Sequence, residues 1–219
     1  MQAPLRLASP YAQSQLWAVA PFTNESGTST VDTNRVADLF TQQVQQVQGV
    51  DSVPVNRVLF ALRELEMEGI SSAGDALLLM NALDVDGLLV GTVTAYDPYP
   101  PLVLGVAVQL YLRPEPVRSR GFDPRSLTRS LGGAAAIGEW GSPPPTVQAA
   151  GVFDAANHQT LIWLREYSAH RSPPDSAYGA DIYLVSMELY TQFVSYRLIH
   201  DLLVAEWTRL MPVASSQER

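Results

Sequence analysis

The side chains of this chain that could do chemistry are few, and they form no recognisable set. The three histidines are His158, in a predicted turn, His170, at a predicted strand end, and His200, on a predicted helix. None is followed by a second ligand at the three- or four-residue spacing of a metal-binding motif. The chain also has no cysteine, so it offers neither a thiolate nor a disulfide. We therefore predict no metal and no cofactor.

The acidic side chains do not suggest an acid–base pair. Glu64, Glu66 and Glu68 alternate near the end of a predicted helix, where residues two apart point in different directions. We interpret them as a solvated acidic edge. Asp97 ends a predicted strand, a position where functional side chains often stand, and its first interpretation is a turn residue.

Basic and aromatic residues supply the candidate contacts with partners. An insertion predicted over 114–146 carries the one concentration of arginines in an acidic chain, which could bind an acidic partner or form a solvated loop. Three tyrosines, Tyr96, Tyr99 and Tyr111, are predicted near a strand turn, where they could form an aromatic contact patch or pack over prolines. A tryptophan lies near the end of the last predicted helix. The candidate contact residues are Arg118, Arg120, Arg125, Arg129, Tyr96, Tyr99 and Trp207.

Composition limits the class of protein. The chain has 219 residues, 47% of them hydrophobic, which is enough to build a core, and its net charge is −8. An acidic chain is a poor match for nucleic acid or an anionic membrane, because both attract clustered cations. No apolar run reaches the roughly 20 residues that span a bilayer. These features predict a globular protein that does not bind nucleic acid.

The first half of the chain alternates strands and helices. The pattern predicts a strand over 16–22, a helix over 32–47 and a short strand over 51–55. Two further helices follow, one capped by Asn56 and one starting at Ser71 or Ser72. They make a crossover that is long enough for parallel strand pairing. Two strands, 86–97 and 102–113, then form an antiparallel hairpin whose second strand has one core face and one small or polar face.

The second half is predicted to contain a second hairpin and a long helix. Strands over 147–154 and 159–169 flank a turn, and an amphipathic helix covers 176–209. The first half of this helix should pack on the sheet formed by strands 86–112, with Glu188, Gln192 and Ser195 exposed. The prediction is one α/β domain over 15–212 with a mixed sheet, packed helices and a long carboxy-terminal helix. Flexible segments are predicted at 1–14 and 213–219.

Three sequence pieces together resemble one group of bacterial envelope domains. They are WAVAPFTNESG (17–27), DALLLMNALDVDGLLVGTVTAYD (75–97) and GVFDAANHQTLIWLREYSAH (151–170). In this order and spacing they resemble the fold shared by the amino-terminal domain of TolB, by CsgG and by LpoB. The first piece resembles a strand followed by Pro-Phe and Asn-x-Ser-Gly, the second a helix leading into a buried strand, and the third a strand–turn–strand unit.

The resemblance implies a location and a way of acting. Such domains are typically exported, often lipid-anchored through an amino-terminal cysteine that this sequence does not contain, and they work through protein contacts. The first residues, 1–6, lack the basic and apolar regions of a signal peptide, so the expected periplasmic or outer-membrane location rests on the resemblance. We expect contact with the membrane only through a lipid anchor.

The function expected on these grounds is that of a non-enzymatic envelope lipoprotein domain that binds protein partners or assembles with itself. One alternative is a small-molecule or peptide-binding module with a cleft near the 114–146 insertion. A second alternative is an enzyme, which would require Asp97, His158 and His170 to converge in one site.

Overall fold

The computed structural model describes residues 6–113, 145–169, 171 and 179–211. Strands and helices alternate along the first half, and helices dominate the end of the chain. The elements are β1 (Gln15–Val19), β2 (Thr23–Asn24), α1 (Thr33–Val44), β3 (Val50–Ser52), α2 (Val55–Glu64), α3 (Ala73–Leu83), β4 (Gly87–Asp97), β5 (Val103–Leu112), β6 (Val147–Asp154), α4 (His158–Ala169), a 3₁₀ helix (Gly179–Leu184) and α5 (Met187–Leu210).

The strands form one mixed sheet of six strands in the order β3-β1-β4-β5-β6, with the short β2 also beside β4. β1 is parallel to both β3 and β4. β4, β5 and β6 are successively antiparallel. The α/β class, the single domain, the parallel crossover and the β4–β5 hairpin are therefore as predicted.

The sheet separates two hydrophobic cores. On one face, alternate residues of β5, from Leu104 to Leu110, pack with α1 and α5. On the other face, Leu88 of β4 and Tyr111 of β5 pack with α2 and α3. The alternation predicted for β5 is thus confirmed, since successive side chains of a strand point to opposite faces.

The sequence pieces 17–27 and 75–97 contact each other in the core on the α1 side of the sheet. A side chain at Gly91 of β4 would lie 2.1 Å from the Phe22 ring, and one at Gly87 would lie 2.7 Å from the Trp17 ring. Glycine is needed at both positions because the aromatic rings occupy the space of a Cβ atom. The aromatic residues of the piece 17–27 therefore pack directly against the glycines of the piece 75–97.

Local capping explains several boundaries. The carboxylate of Asp32 accepts the Arg35 N–H at 2.9 Å and starts α1. Ser72 and Asp75 form a reciprocal capping box at the start of α3. The carboxylate of Asp86 accepts the Leu16 N–H at 2.8 Å and joins β1 to the beginning of β4. Asn56 is not a cap, because α2 begins at Val55, after Pro54, and Asn56 is its second residue.

The predicted second hairpin is wrong, because its second half is a helix. The carboxylate of Asp154 accepts the Ala156 N–H at 2.7 Å, and the Asn157 side chain accepts the Gln159 N–H at 2.8 Å. These bonds turn the chain out of β6 and begin α4 instead of a strand. The third sequence piece therefore departs from the strand–turn–strand unit of the proteins that it resembles.

The last helix is shorter than predicted. It begins at Met187, capped by Ser186, and a separate 3₁₀ helix precedes it. The prediction that its first half packs on the sheet is confirmed, since Phe193 and Val194 are buried against the face covered by α1. Ser195 was predicted to be exposed but is fully buried, because the face of α5 that meets its neighbours is wider than one stripe.

The first described residues contact the body of the domain. The Gln48 N–H donates to the Leu7 carbonyl at 2.8 Å, and the Ser9 N–H donates to the Gln48 carbonyl at 2.9 Å. Leu7 and Tyr11 pack against the larger core. Part of the segment for which a flexible leader is predicted thus makes specific contacts.

Candidate functional site

The residues considered for catalysis have separate surroundings. Asp97 accepts the Tyr99 N–H at 3.0 Å, so it has the turn role that was its first interpretation. His158 is exposed at the first residue of α4, and among the described residues no hydrogen bond joins it to Asp97. His170 lies outside the described residues. The Nδ1 atom of His200 lies 3.1 Å from a carboxylate oxygen of Asp201.

The acidic residues at and just after the end of α2 lie on the surface of the domain. Glu64, Glu66 and Glu68 are all exposed, as expected for a solvated edge. Within 6–113, 145–169, 171 and 179–211, no group of three or more metal-ligating side chains is found. No helix in the described part of the chain is both long and apolar enough to cross a membrane.

The candidate partner-contact residues occupy different parts of the molecule. Tyr99 is 77% exposed at the turn between β4 and β5. Tyr96 is half-buried beside it, and burial followed by the nearby Asp32 carboxylate raises the pKa of its phenol. The placement of Tyr111 near this turn is wrong, because Tyr111 pairs with Leu88 at the opposite end of the hairpin. The four candidate arginines, Arg118, Arg120, Arg125 and Arg129, lie outside the described residues.

The end of α5 presents apolar side chains to solvent. Val204 and Trp207 are exposed three residues apart on one face of the helix, and Met211, the residue that follows its last turn, is exposed as well. We call these three residues the α5 end surface. Trp207, which the sequence singled out, lies at its centre and is 45% exposed.

A buried carboxylate, that of Glu206, accepts hydrogen bonds at this end of α5. Glu206 is completely buried and accepts the Tyr11 hydroxyl at 3.0 Å and two Arg209 donors at 2.7 and 2.6 Å. Burial and the adjacent Glu206 raise the pKa of Tyr11 above its ordinary value. The hydrogen bond to Glu206 likewise raises the pKa of Arg209. The last turns of α5 are therefore fixed to the amino-terminal segment.

A small pocket opens between α4 and α5 on the same side of the last helix. Its volume is about 90 Å³, below the several hundred Å³ of a typical pocket for a drug-sized ligand. We call it the α4–α5 pocket. The residues that line it are Trp163, Glu166, Tyr167, Phe193, Tyr196, Arg197 and His200. Arg197 and His200 precede Val204 by seven and four positions, so the pocket and the α5 end surface share one helix face.

Two guanidinium groups lie on the aromatic rings around this pocket. Arg171 lies 4.2 Å from the ring centre of Tyr167 and 4.8 Å from that of Tyr196. Arg197 lies 4.5 Å from the Trp163 ring centre. Stacking of this kind attracts the cation to the ring face and fixes its plane.

Several polar atoms around the pocket are enclosed and unsatisfied. Within the described residues, the Tyr196 hydroxyl, Arg197 Nε and Arg171 Nη1 have no hydrogen-bond partner. Arg197 is engaged on another side, since its Nη2 lies 3.1 Å from Asp201. Burial raises the pKa of Tyr167 to about 12, against the effect of Arg171, and it also raises the pKa of Tyr196. Both phenols are therefore neutral donors near pH 7.

The sequence did not reveal this pocket, because 159–169 was interpreted as a strand. In a helix, residues 160, 164, 167 and 168 share one buried face, and all four are buried. The signal was Asn157 three residues after Asp154, since such residues end strands and cap helices. That signal would have placed Trp163 and Tyr167 opposite the aromatic residues of the last helix.

Comparison with known proteins gives only distant likenesses. No protein-family model matches the chain, and no curated protein matches it. The carboxy-terminal domain of LpoB from Salmonella enterica is 13% identical with a TM-score of 0.39, over 48% of this chain and 76% of that chain. Lipoprotein GNA1162 from Neisseria meningitidis is 14% identical with a TM-score of 0.39, over 68% of this chain and 89% of that chain.

A third solved structure covers more of the chain. The hypothetical protein CT253 from Chlamydia trachomatis is 9% identical with a TM-score of 0.43, over 88% of this chain and 99% of that chain. At these values the likenesses carry no conclusion about function. LpoB belongs to the group that the sequence resembles, whereas TolB and CsgG are not shown by these structures.

Proposed function

We propose that this chain is a domain of a non-enzymatic cell-envelope lipoprotein that acts through contacts with other proteins. The observation that carries the proposal is the α5 end surface, where Val204, Trp207 and Met211 expose apolar area at the end of the last helix. Contiguous apolar side chains that stay exposed to solvent often mark sites where a protein binds a partner. The location in the envelope rests on the sequence resemblance.

The occupant that we propose for this surface is a second copy of the chain. A stripe of one helix face can pair with its own copy about a twofold axis, so each tryptophan meets the same surface of its partner. The hydrogen bonds of Glu206 with Tyr11 and Arg209 hold the α5 end surface in one position before association, which lowers the conformational entropy lost on binding. Trp207 should then be the dominant contact, because tryptophan is enriched among binding hot spots.

Sedimentation of the wild type and of Trp207→Glu tests this proposal. We expect concentration-dependent association of the wild type, and at least about 30-fold weaker association of the variant, the effect of losing roughly 2 kcal/mol at a hot spot. The matched control is Phe60→Glu, which changes a residue 63% exposed on α2 and should leave association unchanged. A wild type that stays monomeric up to about 1 mM, or equal effects of both variants, would contradict the proposal.

The reading frame upstream of Met1 tests the proposed location. An export signal followed by a lipid-accepting cysteine would support an anchored envelope protein. An upstream frame that encodes neither would overturn the envelope part of the proposal. The contact residues predicted at Tyr96 and Tyr99, and the four candidate arginines between 118 and 129, remain predictions that partner mapping can check.

The second candidate function is a peptide-binding module, and the α4–α5 pocket favours it. The pocket has room for one side-chain group and is walled by aromatic rings. The cleft predicted near the 114–146 insertion is a separate prediction, because residues 114–144 lie outside the described residues.

A further inference from the structure

We propose that residues 7–11 form a strap that regulates the α5 end surface. While the strap is docked, it holds the last turns of α5 in place, so that Val204 and Trp207 are presented in one arrangement. When the strap leaves, these turns lose their connection to the rest of the domain and the surface loses its fixed shape. The effect of the strap on association rests on the proposed function, whereas its effect on the order of α5 can be tested without it.

The last turns of α5 have little else to hold them. Among the described residues that follow position 203, Glu206 is the one that is buried. It bonds to Arg209 within the same helix and to the Tyr11 hydroxyl at 3.0 Å. Within the described part of the chain, the bond to Tyr11 is the one hydrogen bond between these turns and a residue outside α5. Helices in proteins owe most of their stability to tertiary packing, so the order of these turns depends on Tyr11.

The strap itself is held at few points. The Leu7 carbonyl and the Ser9 N–H pair with Gln48 at 2.8 and 2.9 Å, and the side chains of Leu7 and Tyr11 are only partly buried. Residues 12–14, which join the strap to β1, are exposed. Segments with few buried contacts open at a lower free energy than the core does. The strap can therefore undock while the sheet stays folded.

Tyr11 is the residue through which undocking reaches α5. Its ring packs edge-on against Trp17, with the ring centres 6.3 Å apart, and its hydroxyl donates to Glu206. Without Tyr11, the carboxylate of Glu206 keeps the Arg209 donors but loses its third hydrogen bond. A carboxylate that has lost a donor is more stable in contact with water than in a buried position. Because Trp207 follows Glu206 in the helix, a turn of Glu206 towards solvent also moves the α5 end surface.

The coupling between the strap and the surface acts in both directions. If docking of the strap favours association, then association favours docking by the same factor. A partner that captured the strap would therefore weaken association at the α5 end surface without touching Val204 or Trp207. The strap thus allows one end of the described chain to control a surface at the other end.

The order of α5 is tested first, in a background that removes the proposed contact between copies. Nitrogen-15 relaxation is measured for Trp207→Glu alone and for Trp207→Glu combined with Tyr11→Phe, which removes the hydroxyl and keeps the ring. We expect Tyr11→Phe to lower the order parameters of residues 207–210 from about 0.8 to below about 0.6. Those of residues 88–93 in β4 should stay near about 0.85 in both samples.

Ser14→Ala is the matched control, because it removes an exposed hydrogen bond between the same stretch of chain and Asp51, 3.2 Å long. It should leave the order of α5 unchanged. Sedimentation then compares association in variants that keep Trp207. Tyr11→Phe should associate at least about fivefold more weakly than the wild type, which is the lower end of a typical coupling between two sites. Ser14→Ala should associate as the wild type does.

The outcomes separate the inference from the proposed function. Unchanged order parameters in the Tyr11→Phe sample would overturn the inference, as would wild-type association by this variant once its last turns are disordered. A loss of order in β4 as well would show general unfolding and would also count against a strap. A wild type that stays monomeric overturns the proposed function, and the order parameters of α5 then decide the inference on their own.

Discussion

At the scale of single residues, the carboxylate of Glu206 is completely removed from water, so its desolvation must be offset by hydrogen bonds. A buried charge is tolerated only when its oxygens are bonded, and here Tyr11 and Arg209 supply three donors. The interaction joins the amino-terminal segment to the last helix. Its removal should therefore affect both.

We predict that Glu206→Ala lowers the free energy of unfolding by about 2–4 kcal/mol, because it leaves the buried Tyr11 hydroxyl without its acceptor and creates a cavity. Tyr11→Phe should cost less, about 1–2 kcal/mol. Glu64→Gln, at an exposed position, is the control and should change stability by less than about 0.5 kcal/mol. Denaturant unfolding measures all three, and a neutral Glu206→Ala would show that the buried bonds add nothing.

The tyrosines make a second residue-scale prediction, on alkaline stability. Burial raises the pKa of Tyr167 from 10 to about 12, and burial likewise raises the pKa of Tyr190 and Tyr11. Because the folded pKa values are raised, the stability due to these neutral phenols is complete below pH 10 and is lost as the pH rises through the folded values. Ultraviolet titration should show delayed tyrosinate formation and then unfolding. Titration of every tyrosine near pH 10 in a folded sample would contradict this.

At the scale of elements, the sequence predicted those segments whose local signals agree with their packing. Asp32 and Ser72 cap helices whose apolar spacing is helical. β5 is a long strand with clear alternation, and β4 begins with the continuous apolar run of a strand buried on both faces. The segment 159–169 was missed because its run of four apolar residues, 161–164, fits a short buried strand as well as a buried helix. The choice depended on Asn157, and on a tertiary contact with α5 that no short window contains.

The corrected helix α4 can be tested with two neighbouring apolar residues. In a strand, Ile162 and Leu164 would share one face, whereas in α4 Leu164 is buried and Ile162 is partly exposed. Leu164→Ala should therefore cost about 2–4 kcal/mol of unfolding free energy, and Ile162→Ala less than about 1 kcal/mol. Thermal or denaturant unfolding provides the comparison. Similar losses for both variants would favour the strand.

The candidate pocket shows the limit of sequence reasoning more clearly than the fold does. Trp163 and Arg197 are 34 positions apart in the numbering, and nothing in either neighbourhood indicates that one will stack on the other. Trp207, in contrast, was identified from the sequence because an apolar residue on the last turn of an amphipathic helix is visible as a pattern. Exposed helix faces are thus easier to predict than clefts between elements.

At the scale of the whole molecule, β4 is the centre of the structure. It pairs with β1 and β2 on one side and with β5 on the other, and both of its faces are covered by a core. β6, the last strand of the sheet order, has β5 as its one described neighbour. Stability should therefore fall from the centre of the sheet towards β6.

Hydrogen exchange measures this gradient. We predict that the amides of β4 between Leu88 and Val93 exchange slowest, close to the rate of global unfolding, and that those of β6 between Val147 and Val152 exchange faster. Peptides from the two strands can be compared in one mass-spectrometry experiment. Equal protection of both strands would show that the sheet unfolds as one unit.

The bond between Tyr11 and Glu206 also has a consequence for the order in which the molecule assembles. These residues are separated by 195 positions, so the bond cannot form until almost the entire described chain has been synthesised. At ribosomal rates of roughly 5–20 residues per second, that interval is on the order of 10–40 seconds. Throughout it, the segment from Leu7 to Tyr11 lacks its bond to the last helix, so the two ends of the described chain are joined only in the final stage of folding.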